Sequence, residues 1–240
     1  MKRIVIKLGG SLISISDDKQ VNYEYLDKLK TTLQEFINEG YEFAVVVGGG
    51  HLCRVRQDWA RKNSKLATNR ELDWIGVATI NLNAEMIRAH WADIACDKVV
   101  RYDDYKSTEQ IEMEKPILIC AAEEPGHSSD VDAVKIAKRI GTNILYRLTN
   151  VDAIYTSDPK SNPDAQPIHK LTWDKYFEVL GINEFTPGGH YPVDPVASKM
   201  SNEADLIFYL MDGENLENFS RSLRGEDFKG SIITNTVSEI

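Results

Sequence analysis

The chain has 240 residues, 42% of them hydrophobic, and a formal net charge of −9 at pH 7. This apolar content suffices for a sizeable core, and we expect one domain over residues 1–240, with one lobe over about 1–140 and another over about 141–240. The acidic charge argues against nucleic acid or a membrane surface as a partner, because both favour a basic face.

The cysteines Cys53, Cys96 and Cys120 lie far apart in the sequence. They form no C-x-x-C pair, so the pattern predicts neither a zinc site nor a disulfide framework, and it fits a reducing compartment. The apolar run behind Met1 is too short for a signal peptide, and no stretch approaches the roughly 20 apolar residues of a membrane span. We therefore expect a cytoplasmic protein.

Apolar runs and helical periodicities alternate along the chain. Predicted strands are Ile4–Leu8, Phe43–Val47, Lys98–Arg101, Ile117–Cys120, Asn143–Leu148, Leu206–Tyr209 and Ser231–Thr234. Predicted helices are Tyr25–Ile37, His51–Lys62, Glu71–Trp91, Asp130–Ile140 and Pro195–Met200. This alternation predicts a three-layer α/β/α sandwich around a mainly parallel central sheet. Proline-containing turns predict an irregular or hairpin-like loop near a ligand over Ala153–Gln166 and another loop over Pro187–Pro192.

Two glycine-rich segments directly follow predicted strands, Gly9-Gly10-Ser11 after the first and Gly48-Gly49-Gly50 after the second. Glycine lets backbone amides approach a ligand, and the start of a following helix adds positive potential, so both segments suit a phosphate. A plain strand-to-helix turn explains either segment alone equally well. The carboxyl ends of parallel strands share one edge, so we expect these loops to converge with those after Cys120 and Leu148.

Charged residues accompany these loops. Lys7 interrupts an apolar strand just before the glycines, where its ammonium either reaches water or points at a phosphoryl group. Asp130 stands at a predicted helix start, where it either caps the helix or holds a lysine, Lys7 or Lys199. His127 is either a ligand or base, or a hydrogen-bonded loop side chain. The G-x-x-x-x-G-K-[ST], G-x-G-x-x-G and G-x-S-x-G signatures are absent.

Six collinear segments resemble the amino acid kinase superfamily: Lys7–Ser11, Val45–Gly50 with Arg54, Leu72–Thr79, Pro125–Asp130, Leu148–Lys160 and Val193–Lys199. The resemblance covers nearly the whole chain, and within the superfamily it is greatest to the archaeal uridylate (UMP) kinases. It implies the amino acid kinase-like fold and phosphoryl transfer from ATP to UMP in pyrimidine nucleotide synthesis. It also implies a homohexamer built from dimers, for which the helix Glu71–Trp91 is a candidate contact surface.

The resemblance also implies roles for individual residues. On the acceptor side, Gly48, Gly49 and Arg54 would hold the phosphate of UMP and Asp73 its ribose hydroxyls, because an arginine fork suits phosphate and a carboxylate suits a diol. The UMP site would further include Gly126, His127, Ser128 and Ser129. On the donor side, the residues that meet the ATP phosphates would be Lys7, Gly9, Gly10 and Ser11. The nucleoside pocket would be lined by Thr149, Asn150, Tyr155 and Asp158.

The implied catalytic residues are Lys7, Asp130 and Lys199. Lys7 would stabilise charge between donor and acceptor, Lys199 would stabilise the departing phosphate, and Asp130 would orient the lysines. Mg²⁺ would arrive with ATP, and no resident metal is expected.

Ser128-Ser129 replaces the paired threonines of the archaeal pattern and keeps their hydroxyl donors. Three further departures, His51, Leu82 and the Pro187–Pro192 segment, bear on the identity of the acceptor. They leave two alternatives open. One is a related kinase for another phosphate or carboxylate, such as isopentenyl phosphate, although those kinases place a histidine where Arg54 stands. The other is a non-catalytic nucleotide-binding or storage protein on the same fold. Nothing in the sequence identifies an effector site.

Overall fold

The computed structural model describes residues 2–16, 21–101, 104, 109–159, 161–180 and 191–235. Residues 187–190 of the predicted Pro187–Pro192 loop lie outside these ranges. The strands are β1 (Lys2–Leu8), β2 (Tyr41–Val47), β3 (Ile117–Cys120), β4 (Ile144–Thr149), β5 (Ile154–Tyr155), β6 (Pro167–Ile168), β7 (Lys170–Leu171), β8 (Ile207–Asp212) and β9 (Ser231–Ile233). The helices are α1 (Gly10–Ile13), α2 (Tyr23–Asn38), α3 (Gly50–Asn63), α4 (Asn69–His90), α5 (Ser129–Ile140), α6 (Trp173–Leu180), α7 (Pro195–Glu203) and α8 (Leu216–Leu223).

The main sheet has the strand order β3-β2-β1-β4-β8-β9-β7. All neighbouring strands in it are parallel except β8 and β9, which are antiparallel. The central strands are buried on both faces, which explains why they read as continuous β-branched runs rather than as alternating patterns. The predicted α/β class with a mainly parallel sheet is confirmed.

Two hydrophobic clusters cover the two faces of this sheet. Ile4, Ile6 and Leu8 of β1 belong to the cluster that contains the apolar faces of α2 and α4. Val5 belongs to the opposite cluster, with the apolar side chains of α5, α6 and α7. Because side chains alternate along a strand, Lys7 projects on the same side as Val5, toward α5.

Local signals in the sequence set the ends of the helices that carry the site. Ser128 caps α5 by accepting a hydrogen bond from the amide of Asp130, and Gly141 ends that helix in the left-handed conformation, with φ of 70°. Asp194 caps α7 by accepting hydrogen bonds from the amides of Val196 and Ala197. The position of α7 is therefore fixed from its first turn.

One predicted strand is wrong, and one predicted loop is confirmed. Over Lys98–Arg101 the structure has only an isolated parallel bridge from Val100 to Cys120. Val100 bonds through its amide to β3 and through its carbonyl to the residue that follows β3, whereas the amide of Arg101 donates to the carboxylate of Asp104, at 2.7 Å. In the segment predicted as hairpin-like, β5 pairs antiparallel with β6.

Among the described residues, no helix combines the length and apolar character that crossing a membrane requires.

Candidate active site

Four loops meet at one edge of the sheet. β3, β2, β1 and β4 are adjacent and parallel, so their carboxyl ends lie side by side. The glycine segments follow β1 and β2, the loop to α5 follows β3, and Asn150 follows β4. The convergence predicted from the sequence is confirmed, and it brings candidate donor-side and acceptor-side residues to a common edge.

The two glycine loops contact each other through their backbones. A Cβ atom on Gly10 would lie 2.1 Å from the amide nitrogen of Gly50, and one on Gly48 would lie 2.6 Å from that of Gly10. Gly50 also has a φ of +70°, which disfavours any side chain. Glycine is therefore required here by loop packing, whatever ligand the loops bind.

Two residues that the sequence analysis did not single out, Asn83 and Ser14, hold the second glycine loop and the start of α3 in place. Asn83 on α4 is fully buried and donates to the carbonyls of both Gly48 and Gly49, at 3.1 Å each. Ser14 accepts the amides of His51 and Leu52, through its carbonyl at 2.9 Å and its hydroxyl at 3.1 Å. Ser14 thus satisfies two of the first three amides of α3, those of His51 and Leu52.

Lys7, Asp130 and Arg147 form a buried charge cluster between the sheet and α5. Lys7 Nζ lies 3.4 Å and Arg147 Nε 3.2 Å from the same oxygen, Asp130 Oδ1. The other carboxylate oxygen accepts the amide of Asp194 at 3.2 Å. The predicted contact between Asp130 and Lys7 is present, and Ser128 rather than Asp130 caps α5. Arg147 is a member of the cluster that sequence reasoning missed.

Burial and charge pull on these groups in opposite directions. Burial lowers the pKa of Lys7 from its ordinary value, Arg147 lowers it further, and Asp130 opposes both. Burial alone would raise the pKa of Asp130, but the charges of Arg147 and Lys7 outweigh it and hold that pKa below the usual value. Asp130 is therefore an ionised partner for cations rather than a proton acceptor.

Lys199 lies on α7, whereas Lys7, Arg147 and Asp130 lie on β1, β4 and α5. It is the fifth residue of α7, it is exposed, and it makes no ion pair with any residue that the structure describes. The start of its helix is nevertheless tied to Asp130 through the amide of Asp194. Its role as the second catalytic lysine stays a prediction.

Comparison with known proteins gives this arrangement a family. The sequence model of the amino acid kinase family matches residues 2–208. The chain belongs to the amino acid kinase family. Among curated members, a uridylate kinase from Thermococcus kodakarensis is 30% identical over 233 residues, which cover 96% of this chain and 99% of that protein. A uridylate kinase from Thermococcus sibiricus is 28% identical over 232 residues, with the same coverage.

Solved structures of amino acid kinases share the fold. The crystal structure of uridylate kinase from Archaeoglobus fulgidus superimposes with a TM-score of 0.76 at 27% identity, covering 98% of this chain and 100% of that one. UMP kinase from Bacillus anthracis superimposes with a TM-score of 0.78 at 19% identity, covering 98% and 97%. The second likeness, at this low identity, concerns the fold alone.

On the predicted acceptor side of this amino acid kinase, Arg54 of α3 and Asp73 of α4 flank Cys53. Burial raises the pKa of the Cys53 thiol, Arg54 lowers it and Asp73 raises it, so both charges lie near the sulfur atom. The two helices approach closely at Gly76, where a Cβ atom would lie 3.1 Å from Gln57 Nε2. A cation and a carboxylate thus lie near one thiol, and their predicted contacts with UMP stay a prediction.

The loop before α5 carries Gly126, His127 and Ser128, and Ser129 is the first residue of that helix. The ring of His127 lies between two carboxylates, 3.3 Å from Glu123 and 3.8 Å from Asp132. Lys135 contacts Glu123 as well, so the protein itself supplies positive charge to this group. Burial, and then the charge of Glu123, raise the pKa of Asp132 to about 8, although the amide of Glu123 donates to it. Whether the loop contacts UMP stays a prediction.

The residues predicted to line the nucleoside pocket of ATP lie at the end of β4 or after it in the sequence. Thr149 is buried and Asn150 is exposed, with the Thr149 hydroxyl 3.4 Å from the Asn150 side-chain oxygen. Tyr155 is half-buried, and its hydroxyl donates to Asp152 at 3.0 Å, which raises the pKa of that tyrosine. Asp158 is exposed. Tyr155 is thus partly exposed, and its role in lining the nucleoside pocket stays a prediction.

Proposed function

We propose that the chain is a UMP kinase, which transfers the γ-phosphoryl group of ATP to UMP and releases UDP and ADP. One observation carries the proposal: a buried lysine, held by a buried carboxylate, lies where two touching glycine loops leave the sheet. Relatives named uridylate kinase that match over nearly the whole chain support this acceptor.

In the proposed mechanism, an oxygen of the UMP phosphate attacks the γ-phosphorus while the bond to the β-phosphate oxygen of ATP breaks. Such a transfer needs alignment and charge neutralisation rather than a covalent intermediate. Lys7 would neutralise the transferred group, Lys199 the departing phosphate, and Asp130 would hold Lys7. Gly9, Gly10 and Ser11 would present amides to ATP, whereas Gly48, Gly49 and Arg54 would hold the acceptor phosphate.

Mg²⁺ enters this scheme as part of the MgATP substrate. Asp130 is not available to a metal, because two cations and a backbone amide already surround its carboxylate. The described cysteines are free thiols, in keeping with the cytoplasmic location that we propose for a step of pyrimidine nucleotide synthesis.

The test is a coupled measurement of ADP release with several acceptors, namely UMP, CMP, isopentenyl phosphate and small carboxylates. Turnover with UMP at a clearly higher kcat/KM than with the others is the expected result. Preference for isopentenyl phosphate or a carboxylate would contradict the acceptor, and ATP binding without turnover of any acceptor would instead support a storage or binding protein.

A further inference from the structure

Lys7 and Arg147 are neighbours on adjacent strands. In the parallel register of β1 and β4, Lys7 is the partner of Arg147. Side chains at paired positions project from the same face of a sheet, here the face that α5 covers. Both side chains reach Asp130 on that helix. Two cations at such positions repel each other, and an anion between them offsets this repulsion.

A single carboxylate oxygen meets both cations. Lys7 and Arg147 both approach Asp130 Oδ1, whereas Oδ2 accepts a hydrogen bond from the amide of Asp194. Within the described residues, neither Oδ1 nor Arg147 Nε makes a well-directed hydrogen bond. The two contacts are therefore ion pairs to one oxygen atom, and Lys7 shares its counterion with Arg147.

The other titratable groups around the cluster do not neutralise it. They are Asp132 on α5, Tyr176 on α6 and Asp194 at the start of α7. The raised pKa of Asp132, about 8, leaves it largely protonated at neutral pH, and burial raises the pKa of Tyr176, which stays neutral. The Asp194 carboxylate accepts the first amides of α7. Two cations thus face one ionised carboxylate, and surplus positive charge at a largely buried site favours an anionic ligand.

We propose that Arg147 is a positioning residue for phosphoryl transfer: it shares Asp130 with Lys7, so that this carboxylate offsets less of the attraction between the Lys7 ammonium and the phosphoryl group. This inference rests on the proposed kinase function. Without Arg147, Asp130 would pair with Lys7 alone, and its negative charge would offset the attraction of the ammonium for the transferred group.

The experiment compares Arg147→Met, which removes the charge, with Arg147→Lys, which keeps it. Arg221→Met is the control, because Arg221 is an exposed arginine on α8. We expect Arg147→Met to lower kcat with UMP by about tenfold while both KM values change by less than about threefold, and Arg147→Lys to restore most of the rate. Urea unfolding of each variant measures its stability and establishes that the rates being compared are those of folded proteins.

The pH profile supplies a readout that a purely structural role would not move. Arg147 is the strongest attraction that holds the pKa of Asp130 down. Its loss should raise that pKa, so the acid limb of kcat should move to higher pH in Arg147→Met. The limb should keep its position in Arg147→Lys and in Arg221→Met.

The outcomes separate this inference from the proposed function. A wild-type chain that does not turn over UMP refutes the proposed function, and this inference with it. An active wild type together with a folded Arg147→Met variant of normal kcat and unshifted pH profile overturns the inference alone. If Arg147→Met does not fold, Arg147→Gln replaces it with the same expectation. Failure of both neutral variants to fold would assign Arg147 to stability and overturn the inference as well.

Discussion

At the scale of single residues, Lys7 should separate activity from stability. Replacing it with methionine should lower kcat by about 100-fold, because the charge that neutralises the transferred group is lost. Folding should change little, since Arg147 still pairs with Asp130. Steady-state rates with UMP and urea unfolding measure the two effects. Lys28→Met, at an exposed lysine paired with Glu24, is the control, and a rate within about twofold of wild type in Lys7→Met would exclude a catalytic Lys7.

Asp132 makes a prediction about stability and pH. Its pKa of about 8 in the folded chain lies far above the ordinary 3.8, so the native state keeps a proton that the unfolded state releases. Between these two values the free energy of unfolding therefore falls as pH rises, by up to about 1.4 kcal/mol per pH unit from this group. Asp132→Asn cannot ionise, so its stability relative to wild type should increase steadily from about pH 5 to about pH 8.

Urea unfolding at several pH values across that range measures the Asp132 effect. Asp164→Asn is a suitable control, because Asp164 is exposed and its carboxyl makes no described contact. Parallel stability curves for wild type and Asp132→Asn would show that Asp132 is ionised in the folded chain.

The sequence analysis predicted two members of the charge cluster, Lys7 and Asp130, and missed the third, Arg147. Lys7 and Asp130 stood out, because one interrupts an apolar strand and the other follows a glycine-containing loop. Arg147 carried the same signal as Lys7, a cation within a predicted strand, but its partner could not be inferred. That partner depends on β1 and β4 being neighbours, although their paired residues lie far apart in the sequence.

At the scale of elements, the contact between the two glycine loops makes Gly10 the sharpest test. Gly10→Ala should destabilise the chain by about 2 kcal/mol or more and reduce turnover, because its Cβ atom would meet the backbone of Gly50. Gly76→Ala is the matched control, since its Cβ atom meets side chains rather than backbone, Gln57 Nε2 at 3.1 Å and Cys53 Sγ at 3.6 Å, in a helix where alanine is favoured. Urea unfolding and kcat measure both variants, and equal effects would refute the close packing of the loops.

Helices with strong apolar periodicity were predictable, and short ones were not. The predicted helix Glu71–Trp91 corresponds to α4, where a capping box formed by Thr68 and Glu71 marks the start. The helices α1, α6 and α8 were not predicted, because four to eight residues give too few repeats of the helical period. Their helical state depends on tertiary packing, as the fully buried Trp173 of α6 illustrates.

At the scale of the whole molecule, the convergence of the loops at one edge of the sheet was predictable, although the strand order was not. Alternating strands and helices imply a parallel sheet with its loops at one edge, whatever the order of the strands. The order places β4 next to β1 and β3 at the edge of the sheet, and it depends on which crossovers bury the most apolar surface. No local pattern encodes that choice.

The outer surface of α3 and α4 should mediate self-association. A groove of about 450 Å³ lies between these helices, lined by Leu52, Arg56, Trp59, Ala60, Ile75, Ala78, Thr79 and Leu82. Trp59 is 65% and Leu82 52% exposed, and large apolar side chains concentrated in one area are typical of a surface covered by a partner. A second copy of the chain is the occupant we propose, since the family resemblance implies a homo-oligomer built from dimers.

Leu82→Glu should therefore shift the sedimentation equilibrium of the protein toward smaller species. A charge in the middle of a symmetric contact is placed twice, once from each copy, so it costs solvation on both sides and adds like-charge repulsion. Tyr23→Glu is the control, because Tyr23 is similarly exposed but lies on α2, against the ring of His90 at the end of α4. A monomeric wild type, or an oligomer that Leu82→Glu leaves intact, would place the self-association surface elsewhere or remove it. The same variant tests whether one protomer suffices for activity. If Leu82→Glu dissociates the protein while kcat with UMP persists, each protomer holds a complete site. This is the expected result, because every residue of the charge cluster comes from one chain.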